Sequence, residues 1–556
     1  DEVLVSVGDV VERGRLLLRF TPSGDATDIK AAAAPVDLDA VRQDLRELRA
    51  RLEMTLDAQR PVAVARRHAR GLRTARENVY DLCDSDSFQE YGQLIVAAQR
   101  RVKTLDELQH TTPADGLVAG FGTVNAELFG PLKTRCAVLA YDYTVLAGTQ
   151  GLFNHKKTDR VLSVAHRQAL PVIFFCEGGG GRPSDTDFQD IVASTLDVHT
   201  FATYAASSGQ APRIGIASGP CFAGNAVLFG SSDITIATRS ANIGMAGPAM
   251  VTAGGLGACR TQDIGPIDVQ AVNGVVDLVA ADEAEAVELA RRALSFFQGV
   301  ASNWTVTDQR MLRHAVPEDR KRAYDVRPII DVIFDENSFL ELRRDYGPGM
   351  ITGFARLEGR PVGLYANDPR HLGGAIDADG AQKAARFMLL CDAFGLPLVS
   401  LCDTPGFMVG PAHEREASVR RSSRMLVVAA SLSVPTVMVC LRKGYGLGAQ
   451  AMAGGSFCSP MLNVAWPTGE FGPMGLEGAV QLGFRKQLAA APNAAAQKAL
   501  FEREVGRLYE VGKALSTASM MEIDAVIDPA DTRPTLVRAL ASFVPQPRRS
   551  RFVDVW

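Results

Sequence analysis

The sequence predicts an α/β protein built as two tandem copies of one plan, and three observations carry that reading. One set of short motifs occurs twice. Ser87-Phe88-Gln89-Glu90, Val118-Ala119-Gly120-Phe121-Gly122, Lys157 and the run 171–181 are matched by Ser338-Phe339-Leu340-Glu341, Ile351-Thr352-Gly353-Phe354-Ala355, Lys383 and the run 397–407. Lys157 lies as far from Lys383 as Pro171 lies from Pro397, so the later part of each copy is collinear. Within each copy, short Val, Ile, Leu and Phe runs alternate with helix-like stretches, the pattern of parallel strands covered by helices. Two such halves can face each other across a shared cleft, where ligand sites usually form.

The elements follow in chain order. Residues 1–20 alternate apolar and polar side chains around Gly8-Asp9 and a later Gly14, which predicts two short strands joined by a tight turn. So small a piece does not fold alone, and it reads as the end of a domain that begins upstream. Residues 21–37, with Pro22, Ser23, Gly24 and the run Ala31-Ala32-Ala33-Ala34, read as a linker. Over 38–56, Leu45, Leu48, Leu52 and Leu56 recur at helical spacing among Arg and Glu, predicting an amphipathic helix. The linker and helix together occupy 21–60. The first repeat spans 61–300 and the second 301–556, with helical passages predicted at 282–298 and 303–322 between them. In the first repeat, 136–141, 172–176, 214–217 and 234–237 read as strands and 185–206 as a helix.

Composition narrows the function. At 556 residues each half can bury a full core. The 59 Lys and Arg against 63 Asp and Glu leave a net charge of −4, which gives no footing to nucleic-acid or anionic-membrane binding. Apolar runs such as 171–176 and 434–441 fall far short of the roughly 20 residues of a membrane helix, and no leader pattern opens the chain. The expected location is the cytoplasm. Nine cysteines occur without a Cys-x-x-Cys pair, several of them in strand-like runs, so they read as buried thiols and no metal site is expected.

The chemistry-bearing signal is glycine. Gly178-Gly179-Gly180-Gly181 follows a predicted strand and leads into Arg182-Pro183, so the turn has no side chains to keep a ligand from its backbone N–H groups. Two converging donors make an oxyanion hole, in which one donor is worth about 2.7 to 4 kcal/mol. A phosphate loop is the rival, but no Gly-Lys-Ser/Thr ending is present. A purely conformational turn is the plainer alternative. The second repeat offers Arg442-Lys443-Gly444-Tyr445-Gly446-Leu447-Gly448-Ala449-Gln450 after the strand-like run 436–441; its first-half counterpart by chain order lies nearer Gly219-Pro220-Cys221-Phe222-Ala223-Gly224. Gly244-Met245-Ala246-Gly247 is a further small-residue turn. Two oxyanion-type sites would suit a reaction with two oxyanionic partners. Side-chain catalysts are scarce. No His is paired with Ser or Cys in a nucleophile motif. His371 is a candidate ligand contact, Asp403 reads as the cap of the Thr404-Pro405-Gly406 turn, and Lys156 with Lys157 forms a basic spot near His155.

Taken together, Arg76, Ser87-Phe88-x-Glu90, Glu177-Gly178-Gly179-Gly180-Gly181-Arg182, Lys383-Ala384-Ala385-Arg386-Phe387, Asp403-Thr404-Pro405-Gly406-Phe407-x-x-Gly410 and Arg442-Lys443-x-Tyr445-Gly446 strongly resemble the biotin-dependent acyl-CoA carboxyltransferases, including the β subunits of acetyl- and propionyl-CoA carboxylases. The resemblance covers about 61–556. It implies two crotonase-like domains per chain, each a ββα superhelix, assembled as a homo-oligomeric ring, a hexamer, with the active site between the N domain of one protomer and the C domain of another. It implies transfer of a carboxyl group from carboxybiotin on a carrier domain to the α-carbon of an acyl-CoA through a thioester enolate, without a protein base.

Carried over by motif, Gly179 and Gly180 hold the enolate oxygen, with Gly178, Gly181, Arg182, Ala223, Gly224 and Gly247 around the substrate. The backbone of Leu447 and Gly448 holds the biotin ureido oxygen, with Gly446 permitting the turn and Gln450 at a position tied to acyl-chain selection. The family commonly has Tyr-Gly-Gly-Ala where this chain reads Tyr445-Gly446-Leu447-Gly448, and alanine where it has Gly181. Residues 1–20 resemble the closing half of a biotin carrier domain. No lysine precedes Lys30, so the biotinylated lysine lies outside this piece, and ATP and Mg would serve only a separate biotin carboxylase domain, expected upstream in the same polypeptide. A biotin-dependent decarboxylase running the same step backwards and a catalytically silent scaffold subunit are the competing functions.

Overall fold

The computed structural model describes residues 2–21, 37–188, 196–544 and 551–556. The chain divides into two compact units, Asp1–Arg51 and Leu52–Trp556. Most of the expected linker, including Lys30, lies outside the described residues.

In the first unit β1 (Glu2–Val3) and β2 (Leu18–Arg19) pair antiparallel. The expected single tight turn is instead two. Asp9 N–H donates to Ser6 O and Arg15 N–H to Glu12 O, each at 3.1 Å, with Gly8 and Gly14 at φ +102° and +99° supplying the left-handed backbone each turn needs. The leucine-spaced stretch forms the helix Gln43–Glu53, shorter than 38–56 because a turn closed by Ala40 N–H on Asp37 O precedes it.

In the second unit the duplication is visible strand for strand. The N half contributes β3 (Gln89–Glu90), β4 (Leu117–Thr123), β5 (Arg135–Tyr141), β6 (Val172–Phe175), β7 (Arg213–Ala217), β8 (Pro220–Phe222), β9 (Ile234–Thr238), β10 (Asn242–Gly244) and β11 (Leu278–Ala280). The C half contributes β12 (Leu340–Leu342), β13 (Met350–Leu357), β14 (Arg360–Asn367), β15 (Leu398–Thr404), β16 (Thr436–Tyr445), β17 (Leu462–Ala465), β18 (Glu470–Gly472) and β19 (Ala525–Val526). The sheet orders are β11-β9-β7-β6-β5-β4-β3 and β12-β13-β14-β15-β16-β17-β19. Each sheet opens with an antiparallel meander and continues in parallel. The small parallel pair β8 and β10 recurs as the end of β16 with β18. The recurring glycine of the meander has one cause in both halves: a Cβ on Gly120 would lie 2.1 Å from Gln89 O, and one on Gly353 2.3 Å from Leu340 O.

The repeated lysines belong to buried staples. Helices Leu152–Gln168 and Ala378–Phe394 carry Lys157 and Lys383 at the same turn. Lys157 Nζ donates to Leu117 O and stands 3.7 Å from Glu90, which Arg76 holds at 2.8 Å. Lys383 Nζ donates to Tyr346 O at 2.9 Å, and Glu341 pairs with Arg327 at 2.5 Å. Desolvation lowers the two ammonium groups to about 8 and about 7. The expected basic spot is therefore not one: Lys157 is buried, and the exposed Lys156 lies 5.3 Å over the Phe153 ring.

Helix Glu283–Gln298 joins the halves and packs into a core drawn from both. Phe296 stacks on Phe354 at 5.3 Å, and Arg343 pairs with Asp277 at 2.8 Å. The passage 303–322 is not a helix beyond a 3₁₀ stretch, Gln309–His314. Thr305 and Thr307 spend their hydroxyls on Glu336, and Asp308 caps Arg310 N–H, bonds that compete with a helix ahead of Pro317. Of 185–206, only Thr200–Ala206 is helical among the described residues, 189–195 lying outside them. Seven cysteines are buried, Cys259 is half-buried and Cys458 exposed; burial pushes the Cys83 thiol up to about 12. No helix among the described residues is long and apolar enough to cross a membrane.

Candidate active site

Two turns, one per half, occupy equivalent places after β6 and β15. In the N half, Gly178 N–H donates to Pro220 O at 2.7 Å and Phe222 N–H returns to Gly178 O at 2.9 Å, so the glycine run is stitched to β8. Gln150 N–H donates to Gly180 O at 2.7 Å and Arg182 N–H to Gln150 O at 2.8 Å on its other side. In the C half, Ile376 N–H donates to Gly406 O at 3.0 Å and Met408 N–H to Ile376 O at 2.8 Å, the same two bonds in the same register. The counterpart of the four glycines by structure is thus Thr404-Pro405-Gly406-Phe407. The counterpart of Tyr445-Gly446-Leu447-Gly448 is Phe222-Ala223-Gly224-Asn225, as chain order suggested.

Each turn abuts the start of a short helix, Gly224–Gly230 or Gly446–Met452. A Cβ on Gly180 would lie 2.6 Å from Ala223 Cβ, and one on Gly448 2.6 Å from Gly406 C. Ala223 sits at φ +49°, ψ −121°, where the C half has Gly446 at φ +56°. An alanine there is strained backbone, held by the surrounding bonds.

The donors divide unevenly. Gly179 N–H donates to Ala147 O at 3.1 Å and Gly180 N–H to Asn225 Oδ1 at 2.9 Å, so the pair expected to face a ligand is engaged inside the chain. Asn225, which sequence reasoning missed, is the cause: its amide also reaches Gly148 O at 3.3 Å, tying the helix start to the turn. The exposed Gly181 and the half-buried Gly224 carry N–H groups that donate to no described group, and the same holds for Leu447 and Gly448. The Leu447 side chain is 64% exposed and Gln450 is exposed beside it. Gly247 packs on the Phe222 ring behind the N-half turn.

The Arg182 guanidinium is buried, 2.5 Å from Asp115 and 2.8 Å from Thr149 O, so it is engaged inside the chain and braces the turn. Desolvation pushes the Asp115 carboxyl up to about 6 against that pairing. Asp403 does not cap its turn; Thr404 Oγ1 does, accepting from Gly406 N–H at 3.1 Å. The Asp403 carboxylate is buried 3.1 Å from Arg442 and accepts from Lys443 N–H at 3.2 Å. Glu177, at the equivalent place, is gripped by both nitrogens of Arg67, at 2.9 Å to Oε1 and closer to Oε2. Desolvation raises the Glu177 carboxyl and Arg67 opposes it. His371 Nε2 lies 3.4 Å from Asp377, off both turns. The cavity between the halves, about 910 Å³, is lined by Val269, Val272, Tyr346, Gln382, Arg421 and Trp556 among others, and by no residue of either turn.

Residues 66–553 match the model of the carboxyl transferase domain family. The chain belongs to that family. This carboxyltransferase is 32% identical over 495 residues to the methylmalonyl-CoA carboxyltransferase 12S subunit of Propionibacterium freudenreichii subsp. shermanii, covering 86% of this chain and 90% of that protein. It is 30% identical over 540 residues to the propionyl-CoA carboxylase beta chain of Saccharopolyspora erythraea, covering 92% and 95%. Among solved structures it matches a single-chain, multi-domain long-chain acyl-CoA carboxylase at 55% identity and TM-score 0.86, covering 90% of this chain and 49% of that one. The chain thus spans about half of that relative. It matches the transcarboxylase 12S hexamer, with methylmalonyl-CoA bound, at 30% identity and TM-score 0.77, covering 93% and 99%. The two halves are the tandem crotonase-like domains of this family.

Proposed function

We propose that the carboxyltransferase moves a carboxyl group between biotin on a carrier domain and the α-carbon of an acyl-CoA. The observation that carries this is that each half sets the turn after β6 or β15 against the start of a short helix, and that the N–H groups of Gly181 and Gly224 in one half and of Leu447 and Gly448 in the other donate to no described group. The thioester oxygen is held at the N-half turn, where Gly181 and Gly224 N–H stand open and Gly178, Gly179 and Gly180 shape the approach. A developing enolate oxygen there is stabilised by donors already oriented before reaction.

The C half suits a ureido oxygen where helix Gly446–Met452 starts against the turn 404–407: Leu447 and Gly448 N–H donate to no described group, and the backbone of Gly406 and Phe407 lies against Gly448. Biotin, when bound, supplies the carboxyl group to be transferred. The carboxylates beside the turns, Glu177 and Asp403, are locked to arginines, so this chain positions oxygens and leaves proton abstraction to its substrates. Gln450 stands beside the C-half turn as the candidate for acyl-chain selection. Since no turn residue lines the cavity within one chain, the reading pairs the N turn of one copy with the C turn of another in a hexameric ring.

The upstream domains belong to the same proposal. A match to half of a single-chain carboxylase, with β1 and β2 ahead of the carboxyltransferase, supports a biotin carrier and a biotin carboxylase using ATP and Mg on the same polypeptide.

The test is transfer from malonyl-, methylmalonyl- and longer 2-carboxyacyl-CoAs to free biotin by the purified protein. Transfer is expected and ranks the chain lengths. No transfer from any of them, by protein shown to be folded and assembled, overturns the reading.

A further inference from the structure

Each turn is preceded by a buried carboxylate, and a carboxylate beside a developing oxyanion opposes it unless its charge is cancelled. We propose that Arg67–Glu177 and Arg442–Asp403 are paired clamps that hold the two turns in register and offset the charge of the adjoining carboxylate, making these four the positioning residues of the transfer; Glu283 also stands 3.5 Å from Arg67, and Lys443 Nζ 3.6 Å from Asp403. The inference rests on the reading that the turns hold the reacting oxygens.

The carboxylates are equivalent. Gly148 and Gly374 approach the backbone of Glu177 and Asp403 alike, a Cβ on either glycine falling 2.5 Å and 2.2 Å from the carbonyl oxygen. The arginines are not equivalent. Arg442 lies on β16, one residue before Lys443, which pairs with Glu470 of β18. The matching pair in the N half is Pro220 with Asn242, so the place of Arg442 is taken by Gly219. A Cβ on Gly219 would lie 2.2 Å from Glu177 Oε1. The N half therefore uses a longer acid, which occupies the space an arginine on the neighbouring strand would need. It draws its cation from Arg67, on helix Pro61–His68 at the start of the first repeat.

The two clamps reach one outcome by different residues. All four side chains are at most 7% exposed. Each arginine also holds backbone elsewhere in the chain. Arg67 Nε donates to Arg73 O at 2.8 Å, and Arg442 donates to Arg322 O at 2.8 Å and lies 4.8 Å over the Tyr324 ring. A duplicated fold that kept the neutralised acid while exchanging its partner points to the charge pair, and not a particular packing, as the requirement.

The experiment measures carboxyl transfer from the best 2-carboxyacyl-CoA to free biotin by the full chain. Glu177→Asp withdraws the carboxylate from Arg67 and is expected to lower kcat by about 10²-fold per folded enzyme, with the KM for biotin unchanged. Glu177→Asp with Gly219→Arg installs the arrangement of the C half and is expected to recover kcat to within roughly tenfold of wild type, which a packing role would not give. Asp403→Asn is expected to raise the KM for biotin about tenfold and leave that for the acyl-CoA unchanged, and it decides the matter if Glu177→Asp does not fold. Wild-type kinetics for both Glu177→Asp and Asp403→Asn, or a loss confined to melting temperature and not rescued by Gly219→Arg, overturns the inference. Absence of transfer by the wild type overturns the carboxyltransferase reading itself.

Discussion

Gly448→Ala tests the C-half turn most directly. The added methyl would lie 2.6 Å from Gly406 C, 2.7 Å from Gly406 Cα and 3.0 Å from Phe407 N. All three are backbone atoms, so no side-chain rotation relieves the contact. Restoring ordinary separation needs a withdrawal of roughly 0.8 Å, and displacing catalytic groups by about 1 Å costs about 10²-fold. Overpacking of this kind destabilises by about 1 to 3 kcal/mol, which the core of the C half can absorb. The expected result is transfer to biotin lowered by about 10²-fold in kcat/KM, with a folded, assembled protein. Gly478→Ala is the control: it lies in helix Leu476–Gly483 of the same half, and its Cβ would meet nothing within 4 Å. It should keep full activity. Carboxyl transfer with free biotin, read beside thermal unfolding, separates the two. A Gly448→Ala enzyme as active as the Gly478→Ala control would refute the placement of the biotin oxygen at this turn.

Three further outcomes follow from the burial of charge and the backbone. Lys383 releases its proton near 7 in the folded chain because burial desolvates it, against an ordinary value of 10.5 when unfolded. The unfolded state holds more protons between those values, so wild-type stability climbs with pH across that window by about 1.4 kcal/mol per unit. Urea unfolding of Lys383→Met should lack that climb, its advantage over wild type shrinking by on the order of 3 kcal/mol from pH 7 to 9.5; a constant difference would refute it. Asp115→Ala strands the buried Arg182 and should cost about 3 to 5 kcal/mol by the same measurement, with Asp185 at 3.3 Å the only described carboxylate left near it. Ala223→Gly relieves a backbone at φ +49° and should stabilise by about 1 kcal/mol, whereas loss of stability would show that alanine is unstrained there.

What could be read in the sequence was what contiguous residues build. The strand β6 and the glycine run after it, the paired Ser-Phe-x-Glu and lysine motifs, and the helix Glu283–Gln298 all carry their signal within a few residues. The stretch 303–322 misled because its polar residues fit a helical pattern, while its Thr and Asp side chains bond Glu336 and local backbone instead. Lys157 misled for the complementary reason. Beside Lys156 it read as part of a basic spot, and its partners, Leu117 O and Glu90, become visible only when β3 and β4 are placed against its helix.

The site itself was half legible. A glycine run announces a turn with reachable N–H groups, yet it does not say which of them the protein keeps for itself. Asn225, distant in sequence from Gly180, decides that question by accepting one of the two bonds. The pairing of Glu177 with Arg67 crosses a still longer separation and leaves no local motif. Gly219 is the most instructive case, because its meaning is the absence of Arg442's side chain at the matching place. A residue whose function is to make room for an acid is indistinguishable, in one sequence, from a glycine that merely turns the chain. The duplication supplies the missing comparison, since the second half shows what the first half would need if Glu177 were one methylene shorter.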